Sequence, residues 1–142
     1  MQYQKFGDDY LIRIDRGEEI MTEIKKICKA ENITLGSING IGATWEASIG
    51  VFNRTEFKYE SKTFKGDYEI IGLTGNISTM DDECYLHFHI TIGNVMTGES
   101  HSGHLNRCVI SQTGEIFLHK VNGKIDREFS DEIGLNLIKF LK

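Results

Sequence analysis

The chain has 142 residues, 39% of them hydrophobic, and carries a formal net charge of -5 from 21 acidic and 16 basic side chains. This size and hydrophobic content fit one globular α+β domain over residues 1–142. The negative charge argues against sequence-independent nucleic-acid binding, which depends on Lys and Arg side chains that neutralise phosphates. No stretch approaches the roughly 20 apolar residues that cross a bilayer, so we expect no membrane association.

The cysteines indicate the compartment. Cys28, Cys84 and Cys108 form no CxxC pair and are odd in number, which suits a reducing cytoplasm better than a disulfide framework. We therefore expect a cytoplasmic protein.

The N-terminal part predicts a strand followed by a helix. Tyr10 to Ile14 alternates in polarity as a short strand does. Asp15 then stands three residues before Glu18, a variant of the capping box that starts a helix. From Glu18 to about Glu31 the apolar residues recur on one helical face, which predicts an amphipathic helix with Ile20, Met21, Ile24, Ile27 and Cys28 on its buried side.

Two stretches in the middle of the chain leave alternatives open. Residues 33–52 are rich in glycine but lack the Lys-Ser/Thr of a P-loop, so they indicate close approach of backbones within a sheet or at a subunit contact. Trp45 fits such a contact or the core. Residues 54–65 interleave aromatic and basic side chains and are the best candidate for nucleic-acid contact. Ordinary strands with a charged outer face explain them better.

Four of the five histidines lie between Cys84 and Leu105. Strand alternation places Cys84 on an apolar face, as a buried thiol, and His87 and His89 on the opposite face, roughly 7 Å apart. Turn residues at 93–98 then allow a return through His101 and His104. Three neutral imidazoles suit zinc or a neighbouring transition metal and leave a fourth position open. A half-exposed polar sheet face explains the same pattern without a metal.

The C-terminal third predicts strands and a second helix. Residues 107–110 and 115–121 indicate two strands separated by a turn at 112–114. Ser130 is placed to cap a C-terminal helix whose apolar stripe would be Ile133, Leu137, Phe140 and Leu141. The expected fold is thus a mainly antiparallel sheet with one helix near each end.

Several ordered blocks resemble the prokaryotic form of the PPC (plants and prokaryotes conserved) domain. The resemblance rests on residues 13–20, 40–43, 68–78, 86–90 and 102–105. It implies a homotrimer that is customarily described as DNA-binding and that carries a histidine metal site in many prokaryotic members. Position by position, its metal ligands fall on His87, His89 and His104.

Three positions beside this pattern carry further expectations. Ser102 replaces the first of two glycines that usually precede the last histidine, which changes the loop if that position needs a positive φ. His101 is an extra histidine, either a surface residue or a substitute ligand. Glu69 matches an acid of the family and would orient a ligating histidine or act as a base, or else form a salt bridge, with Arg13 as one partner.

Three functions remain open from sequence. The first is a homotrimer associated with DNA or transcription, with a structural or sensing metal. The second is a Zn²⁺-dependent hydrolase or lyase that acts on a small molecule, with Glu69 as base. The third is an assembly protein whose metal site has decayed through Ser102.

Overall fold

The computed structural model describes residues 1–140. Within them the chain forms one helix and eight strands, in the order β1 Gln2–Phe6, β2 Asp9–Asp15, α1 Ile20–Ala30, β3 Gly36–Asn53, β4 Lys58–Met80, β5 Glu83–Asn94, β6 Glu99–Lys120, β7 Asp126–Ser130 and β8 Leu135–Lys139. The prediction of a mainly antiparallel sheet with a helix near the N-terminus is confirmed.

The main sheet has six strands in the order β1-β2-β6-β3-β4-β5, and every pairing is antiparallel. In addition, the first residues of β6 pair with the last residues of β5. Strands β6, β3, β4 and β5 therefore close into a ring, because β6 is long enough to pair with β5 at one end and with β2 at the other.

The predicted turn at residues 112–114 is wrong, since β6 runs through it as one strand. Gly114 lies opposite Gly42 on β3, and a Cβ at Gly42 would lie 2.5 Å from the carbonyl oxygen of Thr113. The glycines therefore allow two backbones to approach closely within the sheet, which was one of the two interpretations of the glycine-rich stretch.

The N-terminal helix covers the inner face of the sheet. Ile12 and Ile14 of β2 are buried together with the apolar face of α1, which consists of Ile20, Ile24, Ile27 and Cys28. The helix begins two residues later than predicted, because Glu19 is its N-cap and accepts hydrogen bonds from the backbone N–H groups of Met21 and Thr22. The Glu18 carboxylate accepts from the Asp15 N–H instead, within the preceding turn.

A two-residue turn sets the register of β4 and β5. Asp81 and Asp82 both have positive φ, 52° and 65°, as the tight turns of β-hairpins require. This register places Thr74 opposite His89 and Asn76 opposite His87.

The predicted C-terminal helix is wrong. Residues 126–139 form the antiparallel hairpin β7–β8, with a turn between the strands that Gly134 ends at a φ of 78°. The Ser130 hydroxyl accepts from the backbone N–H of Ile133 at 3.3 Å, so it caps this turn and not a helix. Leu141 of the predicted stripe lies outside the described residues. The helical spacing of apolar residues wrongly predicted a buried stripe, because Ile133 and Leu137 are exposed. The buried side chain of this hairpin is that of Arg127.

Two further expectations about burial are corrected. Trp45 is 36% exposed, and the Arg16 guanidinium lies 5.3 Å from the centre of its ring, so Trp45 is not a core residue of this chain. Cys84 is only partly buried and packs against the edge of the core.

Among residues 1–140, no helix has the length and hydrophobicity that crossing a bilayer requires.

Replacing Gly75 should disrupt the pairing of β4 with β5. A Cβ at this position would lie 2.1 Å from the backbone oxygen of His87. We expect Gly75→Ala to lower the free energy of unfolding by about 2–3 kcal/mol, as overpacked sites do. Gly72→Ala on the same strand is the control, because a Cβ there meets nothing within 4 Å. Urea denaturation measures both variants, and equal stabilities would contradict the prediction.

Candidate metal centre

Two strand pairings bring the three predicted histidines together. The alternation of β5 turns His87 and His89 to the outer face of the sheet, and the pairing of β5 with β6 places His104 directly opposite His89. One ring nitrogen from each of His87, His89 and His104 lies within 4.8 Å of the other two. The centre of the His87 ring lies 5.2 Å from those of His89 and His104, and the last two rings are 5.8 Å apart.

Ser102 does not disturb the part of β6 that leads to His104. Ser102 has no positive φ, and its hydroxyl lies 3.0 Å from the Thr91 hydroxyl across the β5–β6 pair. The position that requires glycine is Gly103, where a Cβ would lie 2.7 Å from the backbone oxygen of Gly50. The chain retains that glycine, so the serine leaves His104 in register with His89.

The surroundings keep two of these imidazoles, those of His87 and His104, neutral. Burial, together with the neighbouring His87 and His89, lowers the pKa of His104 to about 4. Burial also lowers the pKa of His87, with additional contributions from the positive charge of Arg127 and from His89. A neutral imidazole offers its ring nitrogen as a ligand, so at neutral pH no proton has to leave His87 or His104 before a metal binds.

An aromatic side chain borders the cluster on the side of His104. The ring of Tyr59 meets the His104 ring edge to face at 5.8 Å, and its hydroxyl donates to the side-chain oxygen of Asn106 at 2.7 Å. Tyr59 belongs to the stretch considered for nucleic-acid contact, but its ring faces the candidate metal centre.

The basic side chains of that stretch are partly neutralised by ion pairs. Lys58 pairs with Glu60, and Lys65 pairs with Glu46, each at 3.1 Å. The interpretation as strands with a charged outer face is therefore the one that the structure supports.

A buried arginine borders the cluster on the side of His87. Arg127 of β7 is 7% exposed and donates to the side chain of Asn76, the residue opposite His87. Sequence reasoning missed this residue. Arg127 stands between two acidic residues, three positions before the predicted helix cap Ser130. No local signal indicated that it would be buried beside a histidine on a strand 40 positions earlier in the sequence.

A groove of about 560 Å³ opens beside His89 on the outer face. Ile41 and Ile71 supply apolar surface to it, and three hydroxyl side chains line it as well, those of Thr74, Thr91 and Ser102. An organic ligand bound at the cluster would have room here for a small apolar part with hydrogen-bonding neighbours.

Two other candidates lie apart from the three histidines. Glu69 is exposed on β4 opposite Gly93, four residues from His89 along β5, or about 13 Å at the usual rise of a strand. A role for Glu69 at this centre therefore stays a prediction. Arg13, the salt-bridge partner suggested for Glu69, pairs with Asp15 instead. The ring of His101 stacks on Phe64 at 3.8 Å and is not part of the cluster.

The three imidazole nitrogens fit a metal that prefers nitrogen ligands. Three imidazoles on paired strands, without a carboxylate or thiolate in the group, match zinc sites that keep one coordination position open. The fold and the site thus define a small α+β protein with a candidate three-histidine metal centre.

Comparison with known families agrees with this description. Residues 1–122 match the profile of the Plants and Prokaryotes Conserved (PCC) domain, the family named PPC above. The chain belongs to this family. A search of curated proteins finds no match.

Solved structures show the same fold over nearly the whole chain. A protein from Bacteroides thetaiotaomicron, provisionally described as DNA-binding, is 37% identical, with a TM-score of 0.93 and coverage of 98% of this chain and 96% of that one. A plant- and prokaryote-conserved protein from Pyrococcus horikoshii is 39% identical, with a TM-score of 0.86 and coverage of 99% and 96%. A metal-containing protein from Archaeoglobus fulgidus is 28% identical, with a TM-score of 0.87 and coverage of 96% and 97%.

The lowered pKa of His104 predicts a stability that falls on acidification. Between its ordinary value of 6.5 and about 4, the unfolded chain binds a proton at this residue and the folded chain does not. Stability is therefore fully present above that window and is lost as the pH falls through it. For metal-free protein, we expect His104→Gln to reduce the loss between about pH 7 and about pH 5 by roughly 1 kcal/mol, allowing for solvent screening of a half-exposed ring.

Urea denaturation at the two pH values, with a chelator present, checks this prediction. His119→Gln is the control, because His119 is an exposed histidine on the same strand and lies outside the cluster. An unchanged pH dependence in His104→Gln would contradict the expected role of burial.

Proposed function

We propose that His87, His89 and His104 hold zinc or another divalent transition metal and that this centre binds or converts a small molecule. The observation that carries the proposal is the convergence of three ring nitrogens within 4.8 Å on two paired strands. The metal-containing relative from Archaeoglobus fulgidus supports it. When bound, such a metal acts as a Lewis acid toward a ligand at its open position.

The protein's own residues would fix and limit that ligand. The paired strands hold the imidazoles in place, and burial keeps His87 and His104 neutral. The groove beside His89 leaves room for the organic part of the ligand, next to the hydroxyls of Thr74 and Thr91. These features favour a metal-dependent hydrolase or lyase, or a sensor of a small molecule, over a metal that serves only to stabilise the fold.

Removal of one ligand should abolish tight metal binding. We expect wild-type protein to bind one zinc or cobalt ion per chain and His87→Ala to bind it at least roughly a hundredfold more weakly, since even supporting residues around metals contribute ten- to a hundredfold. Metal analysis after dialysis and isothermal titration calorimetry measure stoichiometry and affinity.

His119→Ala is the matched control for that measurement. His119 lies on the same outer face, three strands from His87 in the same cross-strand row and so about 14 Å away along the sheet. Its loss should leave metal binding unchanged. A wild-type protein that neither contains nor binds a divalent transition metal would overturn the proposed centre.

A second candidate function is association with DNA as a homotrimer. The relative from Bacteroides thetaiotaomicron, provisionally described as DNA-binding, supports it. Large apolar side chains on the outer sheet face offer surface for subunit contacts, namely Leu11, Ile41, Ile71 and Phe117, which are 40–61% exposed. The net charge of -5 weighs against binding through phosphates alone.

Mass and salt dependence test this second candidate together. It predicts a solution mass three times the 16.1 kDa of one chain. It also predicts that affinity for a DNA duplex falls steeply between about 50 and about 200 mM salt, because bound cations are released from the phosphates. Analytical ultracentrifugation and fluorescence anisotropy measure the two quantities. No duplex binding at the lowest salt would exclude the DNA role, whatever the mass.

A further inference from the structure

The C-terminal hairpin β7–β8 brings one buried charge to the candidate metal centre. The match to the family profile ends at residue 122, before this hairpin begins. Arg127 is the buried residue of the hairpin, with a side chain that points onto the outer face of β4 and β5. That face also carries the three histidines.

The contacts of Arg127 leave its charge without a carboxylate partner. Its guanidinium donates to the Ser78 hydroxyl at 2.8 Å, to the Asn76 side-chain oxygen at 2.8 Å and to the Asn136 backbone oxygen at 2.9 Å. Its fourth neighbour is the Tyr85 ring, with its centre 4.6 Å away. Within residues 1–140, no Asp or Glu oxygen lies within ion-pair distance of this guanidinium.

Strand register places this charge next to a metal ligand. Asn76 is the cross-strand partner of His87, and Ser78 is the partner of Tyr85, two residues earlier on β5. The guanidinium therefore lies about one side-chain position from His87, on the same face of the sheet. A buried cation is costly when no anion compensates it, and hydrogen bonds to neutral oxygens compensate it only in part.

We propose that Arg127 is a specificity-determining residue that makes the open position of the metal centre select an anionic ligand over a neutral one. The ligand class is a small oxyanion, such as a carboxylate or inorganic phosphate, with its organic part in the groove beside His89. The inference rests on the proposed metal centre. It assigns to Arg127 an electrostatic effect across the site and does not require direct contact with the ligand.

The alternative role for Arg127 is a structural one, as a clamp that fastens β7–β8 to the sheet. Loss of a clamp would weaken the binding of every ligand equally, because the site would become disordered. Loss of a selecting charge would weaken the binding of anions alone. The ratio of anion affinity to neutral-ligand affinity therefore separates the two roles.

The experiment uses the full chain loaded with cobalt(II), whose visible absorption reports the ligands at the metal. Acetate serves as the anionic probe and imidazole, at a pH where it is neutral, as the uncharged probe. In Arg127→Gln we expect acetate to bind roughly tenfold more weakly, from the loss of one nearby charge, and imidazole to bind as it does to wild type. Arg127→Met is made in parallel, because buried charges are often replaced by apolar residues without loss of folding.

Two controls retain the charge. Arg127→Lys should keep most of the preference for acetate, and Ser78→Ala removes one hydrogen bond of Arg127 without changing its charge. Equal losses for acetate and imidazole in Arg127→Met, or unchanged acetate binding in Arg127→Gln, would overturn the inference while cobalt still binds. Failure of wild-type protein to bind cobalt would instead overturn the metal centre itself.

Discussion

The pairing of β5 with the first residues of β6 is the constraint on which the candidate centre depends. It places His104 opposite His89 across a strand pair, although the two residues are 15 positions apart in sequence. The same pairing closes strands β6, β3, β4 and β5 into a ring, so the backbone that carries the imidazoles is held by hydrogen bonds on both sides. Gly103 permits the closure, because only a residue without a side chain fits against the backbone of Gly50.

The titratable and charged side chains at the candidate centre work against folding stability. Burial and mutual repulsion lower the pKa of His87 and His104, and an unpaired guanidinium lies beside them. A core built for stability alone would place apolar side chains at such positions. The three imidazoles converge without a carboxylate or thiolate in the group, and the Arg127 guanidinium is hydrogen-bonded to neutral oxygens. The proposed site for a small anionic molecule rests on this arrangement.

The acidic character of the chain weighs against DNA binding, the function by which the relative from Bacteroides thetaiotaomicron is provisionally described. Lys58 and Lys65, in the stretch with the most basic and aromatic side chains, pair with glutamates, and Tyr59 turns toward His104. These two lysines are thus less available to neutralise phosphates. Its outer sheet face instead combines exposed apolar side chains with a groove beside the histidines. A subunit packed on that face would form a further wall of the groove.

The sequence by itself determined the elements with a clear period. Alternation along β2 and β5 predicted which side chains are buried, with Cys84 as the exception, and a period near four predicted α1, because both patterns follow from local backbone geometry. Alternation also placed His87 and His89 on one face, and the resemblance to the PPC family added His104 as the third member of the set. The tertiary structure alone decided that β6 is continuous through residues 112–114, that residues 126–139 form a hairpin and that Arg127 lies beside His87. These outcomes depend on contacts between strands that are distant in sequence. A local pattern such as helical spacing, a single glycine or a single arginine does not say which strand will pack next to that segment.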